Sequence, residues 1–128
     1  MFVLLLFASV TFGQLPDKGS IDDLKGKTKV YVVASANHAK FIEKELVKTF
    51  QLVKKSDEAD FFLEYTTLSL TKSAGSLGLE SETGQLDAYF YQDKKKVVAW
   101  SDSAFSGMFR EPNVTLPRKF VKEWKKLK

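Results

Sequence analysis

The sequence has no cysteine and only one histidine. Without cysteine, the chain cannot be a disulfide scaffold, a thiol enzyme, a zinc finger or an iron–sulfur protein, and it offers no cysteine for a lipid anchor. A single histidine excludes a histidine-rich metal centre. The charged fraction of 28% excludes a protein with many membrane spans, and the hydrophobic fraction of 44% excludes a disordered chain. The 128 residues therefore indicate one globular domain.

The beginning of the chain is apolar. Residues 1–12 carry no charged side chain, and residues 2–8 form a continuous apolar run. A stretch of about twelve such residues is too short to cross a bilayer as a helix but has the length of a signal-peptide core. Thr11 and Gly13 supply the small residues found three and one before a cleavage point. We predict a signal peptide over residues 1–13 with cleavage near Gly13, although no lysine or arginine precedes the run; the alternative is a buried N-terminal strand.

After Gly13 the composition divides the chain into two parts. Residues 14–27 are polar and rich in glycine and aspartate, which predicts a flexible leader arm. Residues 28–128 contain no internal repeat or low-complexity tract and are predicted to form one domain. Because small extracellular animal domains usually depend on disulfides, the absence of cysteine favours a bacterial envelope protein. We expect the mature chain to be extracytoplasmic, in the periplasm or secreted, and to have no transmembrane span.

Hydrophobic periodicity predicts the first elements of the domain. The β-branched, apolar run at residues 28–35 is typical of an interior strand that is covered on both faces. Ile42, Leu46 and Phe50 then recur every four residues. This spacing predicts an amphipathic helix of about thirteen residues, with Asn37 as its N-cap.

More strands are predicted in the middle of the chain. Residues 51–54 are assigned to a short strand and residues 59–68 to a longer one, followed by a loop over residues 72–84. Residues 86–92 and 97–103 are expected to form a hairpin across the intervening Asp-Lys-Lys-Lys segment. One face of the hairpin is predicted to be buried through Leu86, Ala88, Phe90, Val98 and Trp100. The other face is predicted to carry Tyr89, Tyr91, Val97 and Ala99.

A second helix ends the chain. Pro117 suits its first turn, and the apolar residues that follow a 3.6-residue period are Leu116, Phe120, Val121, Trp124 and Leu127. The predicted fold class is therefore α+β, a single mixed β-sheet with two helices packed on it, in the order β-α-(β)-β-β-β-α. A right-handed crossover makes the first strand parallel to the strand at residues 59–68. Phe62 lies on the second face of that strand and indicates that part of the second face is covered.

Short motifs in this part of the chain resemble a known group of proteins. Residues 59–65 have the sequence Ala-Asp-Phe-Phe-Leu-Glu-Tyr, residues 84–90 Gly-Gln-Leu-Asp-Ala-Tyr-Phe, and a lysine-rich turn leads to Trp100. From Val30 onward the chain resembles small bacterial envelope domains of unknown function, many of them lipoproteins. It is more distantly similar to the curli-secretion lipoprotein and the amino-terminal domain of the Tol periplasmic protein. The resemblance implies an envelope location and an α+β fold but no reaction, and the chain departs from the pattern by lacking a lipobox cysteine and an Arg-Gly after Trp100.

Patterns that are typical of enzymes occur only in weak form. Ser69 and Lys72 have the Ser-x-x-Lys spacing of serine acylases, but that pair needs one helical turn and here lies at the end of a predicted strand. The carboxylates at residues 57–60 and 80–82 are expected to be solvated, and His38 is expected on the surface at a helix start. We predict no catalytic residue, no cofactor and no metal ion.

Charge is distributed unevenly. Residues 1–64 contain nine basic and nine acidic side chains, so the net charge of +4 arises in the second half, where residues 110–128 contain seven basic and two acidic side chains. Four basic residues are expected on the outer face of the last helix: Arg118, Lys119, Lys122 and Lys126. A basic surface attracts anionic partners, which outside the cytoplasm are lipid headgroups or cell-wall polymers rather than nucleic acid. The alternative is a solvated face without a partner.

Three classes of function are open. The first is an exported, non-enzymatic accessory domain of the envelope that acts by binding or assembly with an unknown envelope protein. The second is a basic module that binds an anionic membrane or polymer through its C-terminal helix. The third is a small envelope hydrolase, which would require a cleft with convergent polar groups. We favour the first class, because no residue pattern supplies a reaction.

Overall fold

One mixed sheet and two helices make up the fold in the computed structural model, which describes residues 17–72, 80–106 and 111–127. The strands are β1 (Asp17–Lys18), β2 (Lys29–Val33), β3 (Gln51–Leu52), β4 (Phe61–Lys72), β5 (Glu80–Gln92) and β6 (Lys95–Phe105). The helices, α1 (Ala36–Leu46) and α2 (Pro112–Lys125), pack against each other on one face of the sheet. The α+β prediction is confirmed. The predicted signal peptide lies outside the described residues.

The strand order across the sheet is β1-β6-β5-β4-β2-β3. Strand β2 is parallel to both β3 and β4, as the predicted crossover requires, whereas β4, β5 and β6 form an antiparallel meander. The hairpin between β5 and β6 is confirmed, with a tight turn at Asp93 and Lys94. Their φ angles of 53° and 65° are those of a two-residue turn whose twist matches the strands.

The core lies between the helices and the sheet. Its fully buried side chains include Leu24, Val30, Ile42, Leu46, Phe61, Leu63, Leu86 and Phe120. Phe50, just after α1, places its ring 5.4 Å from that of Phe61 and 5.8 Å from that of Phe120, so it joins sheet and helices. Each such large apolar side chain contributes about 1.5–3 kcal/mol by burial.

The predicted leader arm at residues 14–27 is corrected over its described part. Strand β1 pairs in parallel with β6, and residues Ile21–Leu24 form a 3₁₀ helix that Ser20 caps. Leu24 is fully buried, and its carbonyl oxygen accepts a hydrogen bond of 3.1 Å from Trp124 Nε1. Although its neighbours are polar, Leu24 is buried in the core, so residues 17–27 are part of the domain.

Most element boundaries differ from the predictions by a few residues, and three of the differences have a clear reason. Strand β5 begins at Glu80, inside the predicted loop at residues 72–84, because β5 stays paired with β4 there although residues 80–85 have no apolar side chain. Helix α1 is preceded by Ser35 rather than capped by Asn37.

Helix α2 also begins earlier than predicted. Pro112 occupies its first turn, and Pro117 lies inside the helix. Proline is favoured in the first turn of a helix, so by this criterion either Pro112 or Pro117 could mark the start. Burial of Asn113 and Leu116 against the rest of the fold selects the earlier start.

The predicted faces of the hairpin are correct for β5 and partly wrong for β6. The register shifts opposite Ala99, so that Val98 pairs with Tyr89 and Val97 with Phe90. Because paired residues share a face, Val98 lies on the face of Tyr89 and not with the core. Ala99, the extra residue of this bulge, joins the core instead.

Candidate functional site

The four basic residues predicted to contact an anionic surface all lie on α2 or just after it, and three of them form ion pairs. Arg118 donates to Glu45 of α1 through Nε at 2.8 Å and through its terminal nitrogen at 3.3 Å. Lys119 pairs with Asp102 of β6. The pKa of Asp102 is lowered, mainly by the hydrogen bond from Lys119. These pairs fasten α2 to α1 and to the sheet.

The remaining two basic residues lie further along α2. Lys126 lies 3.3 Å from Glu123, one turn away. Lys122 lines an open groove of about 690 Å³ together with Phe41, Glu111, Val114, Thr115, Arg118 and Lys119. The groove has three positive charges, from Arg118, Lys119 and Lys122. Three carboxylates lie at or next to it and offset this charge: Glu111, Glu45 and Asp102. The helix surface is less positive than its sequence indicates.

A polar cluster connects the two helices to the sheet. It consists of His38 from α1, Tyr65 from β4, Glu82 from β5 and Asn113 from α2. The Tyr65 hydroxyl donates to Glu82 Oε2, and His38 Nε2 lies 3.7 Å from Glu82 Oε1. The rings of His38 and Tyr65 are 4.6 Å apart. Asn113 contacts His38, so four elements are connected through this cluster.

The contacts of this polar cluster connect its side chains in a chain. Asn113 Nδ2 lies 3.0 Å from His38 Nδ1, and the other ring nitrogen, Nε2, faces Glu82. Burial, followed by the hydrogen bond and charge of Glu82, raises the pKa of Tyr65 above its usual range. Tyr65 therefore remains a donor. Asn113 is 2% exposed, and its Oδ1 has no hydrogen-bond partner among the described residues.

The polar cluster has the groups of an acid–base site but lacks a nucleophile in the described part of the chain. Ser106 Oγ accepts from the backbone N–H of Glu82, and no serine or threonine hydroxyl among the described residues bonds to His38. Its polar atoms mostly bond to one another. The arrangement holds α1, α2 and the sheet together.

The prediction that Glu82 is solvated is therefore wrong, and His38 lies at the start of α1 as predicted but is partly buried rather than on the surface. The side chains of His38 and Glu82 are 23% and 18% exposed, and each faces a partner from another element. Gly84 was the signal in the sequence for this cluster, because a glycine two positions before buried Leu86 leaves room for a large neighbouring side chain. Residues 72–84 were predicted to be a loop, and a glycine in a loop does not indicate such a contact.

The other enzyme-like patterns do not form sites. Ser69 and Lys72 both belong to strand β4, so the helical turn on which an acylase pair depends is not formed there. Asp60 accepts hydrogen bonds of 3.1 Å from the backbone N–H groups of Thr28 and Lys29, which gives it a structural task. In the described ranges, no three His, Asp or Glu side chains are grouped to hold a metal ion.

The face of the sheet opposite α1 and α2, which we call the open face, carries an aromatic cluster. Its members are Tyr31 of β2, Phe62 of β4, and Tyr89 and Tyr91 of β5. The Phe62 ring stacks on Tyr89 at 5.3 Å and meets the edges of Tyr31 and Tyr91 at 5.8 and 5.7 Å. No helix of the described residues lies over this face. Phe62 was predicted to lie on a covered part of this face, but only the neighbouring aromatic rings cover it.

Charged side chains of both signs flank the aromatic cluster. Lys96 Nζ lies 4.1 Å from the centre of the Tyr89 ring and 3.9 Å from Glu64 Oε1. The pKa of Tyr89 is raised, mainly by burial and then by the charge of Glu64. Asp87, opposite Glu64, accepts from Ser101 Oγ and from Gln85 Nε2. The open face is thus apolar at the aromatic cluster, and the side chains next to this cluster carry both positive and negative charge.

Exposure differs sharply within the aromatic cluster. Tyr89 is 6% exposed, enclosed by its neighbours, while Tyr91 is 56% exposed. At the other end of the face, Phe105 is 66% exposed and pairs with Thr83 of β5. Large exposed apolar side chains on an uncovered sheet face are typical of an interaction surface. The arrangement supplies contact area and no reactive group.

Comparison with known proteins adds similarity of shape only. No family model and no curated protein matches the chain. The hypothetical protein CT253 from Chlamydia trachomatis is similar over 79% of this chain and 95% of its own, with 11% identity and a TM-score of 0.46. A minor lipoprotein from Acinetobacter baumannii covers 76% and 91%, with 10% identity and a TM-score of 0.41.

A PelC dodecamer from Paraburkholderia phytofirmans is also similar, over 77% of this chain and 85% of that one, with 12% identity and a TM-score of 0.43. Similarity at this level carries no functional information, so only this chain's own contacts bear on its function. The resemblance to the curli-secretion and Tol proteins stays a prediction. Within the described residues, no helix is long and apolar enough to cross a membrane.

Proposed function

We propose that the chain is an exported, non-enzymatic accessory domain that acts by binding or assembly. The observation that carries this proposal is the open face with its aromatic cluster. Tyrosine and phenylalanine are enriched in protein interfaces, where large rings bury much area at little cost in side-chain entropy. Exposed Tyr91 and Phe105 lie on the same face and are available for such contacts.

The polar cluster supports the non-enzymatic part of this proposal. An acid–base site needs a nucleophile or an activated water next to its histidine. Here His38 faces Asn113 and Glu82, and Glu82 is taken by Tyr65. These contacts support a structural role for the chain's single histidine.

The export part of the proposal rests on the apolar run at residues 2–8 and the small residues at Thr11 and Gly13. Binding of an anionic surface through Arg118, Lys119, Lys122 and Lys126 is the alternative. It is less favoured, because carboxylates already pair with Arg118, Lys119 and Lys126.

The test is site-specific photo-crosslinking in cells that produce the full chain. A photoreactive phenylalanine analogue replaces Tyr91 in one version and Phe41 in the other, because Phe41 is also exposed, at 41%, but lies on α1. We expect discrete adducts from position 91 and few from position 41, with the labelled protein outside the cytoplasm and its N-terminus at or near Gln14.

Two outcomes would contradict the proposal. Adducts only from position 41 would place the working surface on the helices, and the absence of adducts from either position would argue against a binding role. An intact Met1 in the cytoplasmic fraction would refute export.

A further inference from the structure

We propose that residues 2–12, which we call the N-terminal segment, pack on the open face of their own chain and cover the aromatic cluster until cleavage near Gly13 removes them. This inference rests on the proposed function and names what occupies the binding face before the partner does. Its starting point is the presence of two apolar surfaces in one chain: the uncharged N-terminal segment, and a sheet face that no described helix covers and on which Tyr91 is 56% exposed.

The position of β1 brings the N-terminal segment to the aromatic cluster. Strand β1 is parallel to β6, and Asp17 pairs with Val97. On the other side of β6, Lys96 pairs with Tyr91 of the cluster. Asp17 is therefore level with the cluster and separated from β5 by one strand, a distance of about 10 Å at a strand spacing of about 4.8 Å. The chain enters the sheet beside the cluster.

The residues between the N-terminal segment and β1 are long enough to span this distance. Residues 12 and 17 are five positions apart in the sequence, and at about 3.3 Å each these positions reach about 16 Å. That length covers the two strand spacings from β1 to β5 and a third to Phe62 on β4. A short connection of this kind gives an effective concentration in the millimolar range, because the contact forms within one molecule. A separate partner lacks this advantage.

The chemistry of the N-terminal segment fits the open face. Glu64 and Lys96, which flank the cluster, lie 3.9 Å apart and pair with each other, so an occupant need not supply a charge. Residues 1–12 carry no charged side chain and include three phenylalanines. Aromatic rings pack favourably edge to face against the rings of such a cluster. A strongly polar occupant would lose the solvation of its own groups over the rings.

The helical side of the domain offers a poorer place among the described surfaces. Its exposed apolar side chains include Phe41 of α1, which lies on the side of the sheet opposite the open face. The groove beside Phe41 is lined mainly by polar and charged residues, among them Glu111, Arg118 and Lys122. An uncharged segment buried there would desolvate these groups without pairing them. The open face is therefore the favoured position for the N-terminal segment.

This packing makes the binding face subject to proteolytic control. While residues 1–13 are attached, Tyr91 and its neighbours are covered, and the precursor does not bind the partner of the proposed function. A signal-peptide protease hydrolyses the bond between Gly13 and Gln14, with addition of water to give a carboxylate and an amino group. The released segment loses the effective concentration that held it in place. The face is then free only in the mature chain.

The first test maps where the N-terminal segment lies. The full chain is made by cell-free translation without membranes, so that residues 1–16 stay attached, and a photoreactive phenylalanine analogue replaces Phe7. We expect adducts within one chain to peptides of β4 and β5. Tyr91→Glu should lower their yield at least about 10-fold, because it places a carboxylate under the apolar segment. Phe41→Glu, a change of the same kind on α1, should leave the yield unchanged, and circular dichroism confirms that each variant is folded.

The second test measures the exposure of the face with tetranitromethane, a reagent that nitrates accessible tyrosines. Tyr91 should react at least about 10-fold more slowly in the full chain than in a chain that begins at Gln14, because only the full chain holds the covering segment at high effective concentration. Tyr65, which is 6% exposed on the other face of the sheet, should stay unreactive in both chains and serves as the control for folding.

Several outcomes would overturn the inference: adducts to α1 or α2, adducts that join two chains and rise with chain concentration, the absence of adducts, or equal reactivity of Tyr91 in both chains. If one of these occurs while the mature chain still gives position-91 adducts to a partner in cells, the proposed function stands without this control. If position 91 gives no adducts in cells either, both are refuted.

Discussion

Replacing Gly84 by alanine should destabilise the domain far more than a one-carbon change in a strand normally does. A Cβ at this position would lie 2.6 Å from Tyr65 Cζ and 2.8 Å from Cε1, well inside ordinary carbon–carbon contact. Tyr65 is 6% exposed and its hydroxyl is bound to Glu82. The ring therefore has no free space to move into without breaking the polar cluster.

The magnitude follows from the two ways in which the strain can be relieved. If the ring stays, overpacking costs about 1–3 kcal/mol. If the ring moves away, the hydrogen bond to the Glu82 carboxylate is lost, at about 1.5–3 kcal/mol. Alanine recovers about 0.5–1 kcal/mol from its better strand entropy. We expect a net loss of about 1.5 kcal/mol in the free energy of unfolding, which lowers the melting temperature by about 6 °C for a domain of this size.

The assay is urea unfolding followed by circular dichroism, with a double-mutant cycle as control. Tyr65→Val alone should destabilise, because it leaves a cavity of most of a ring. Combined with Gly84→Ala, it should cost at least about 1 kcal/mol less than the sum of the single changes, because the clash has been removed. A Gly84→Ala variant within about 0.5 kcal/mol of wild type, or strictly additive effects, would refute the reasoning.

Two further predictions concern Asp60 and the basic helix. Asp60 accepts hydrogen bonds from two backbone N–H groups, and the bond from Lys29 is the main cause of the lowered pKa of its carboxyl. The contribution of Asp60 to stability is therefore present above its unfolded-state pKa and is lost as the pH falls through its folded-state pKa. Asp60→Ala should cost about 1 kcal/mol at pH 7, and urea midpoints should show the difference from wild type shrinking below about pH 4. Wild-type protein should be retained only weakly on vesicles that contain phosphatidylglycerol, because Lys122 alone of the four basic residues has no described ion pair and one lysine contributes about 1 kcal/mol. Replacing Arg118, Lys119, Lys122 and Lys126 by glutamine should remove that retention, whereas tight, salt-resistant retention of wild type would show that the ion pairs do not neutralise the helix.

The sequence was sufficient for those elements that bury a regular apolar pattern. Helix α1 contains apolar residues four apart, β2 contains a continuous apolar run, and β4 and β6 contain alternating apolar residues; all were predicted near their positions. Strand β5 before Gly84 was missed, because it is held by pairing with β4 and β6 rather than by burial of apolar residues. Leu24 was missed because one buried leucine within a polar segment has no periodicity.

The candidate surfaces were harder to predict for a different reason. Periodicity placed Tyr89 and Tyr91 on the second face of the hairpin, but it could not show that no described helix covers that face. Basic composition predicted a positive helix, while the neutralising partners Glu45 and Asp102 come from elements distant in sequence. Long-range ion pairs leave no local signal in a single sequence.

The contact between the two ends of the domain has a consequence for how the chain reaches its folded state. Strand β1 pairs with β6, and Leu24 accepts its hydrogen bond from Trp124, a residue 100 positions later. The β4–β5–β6 meander can form from neighbouring segments, but closure of the N-terminal part must wait until α2 has been synthesised. A chain that emerges from the ribosome therefore stays incompletely folded until α2 has been synthesised, and its N-terminal part remains accessible to chaperones and proteases during that time.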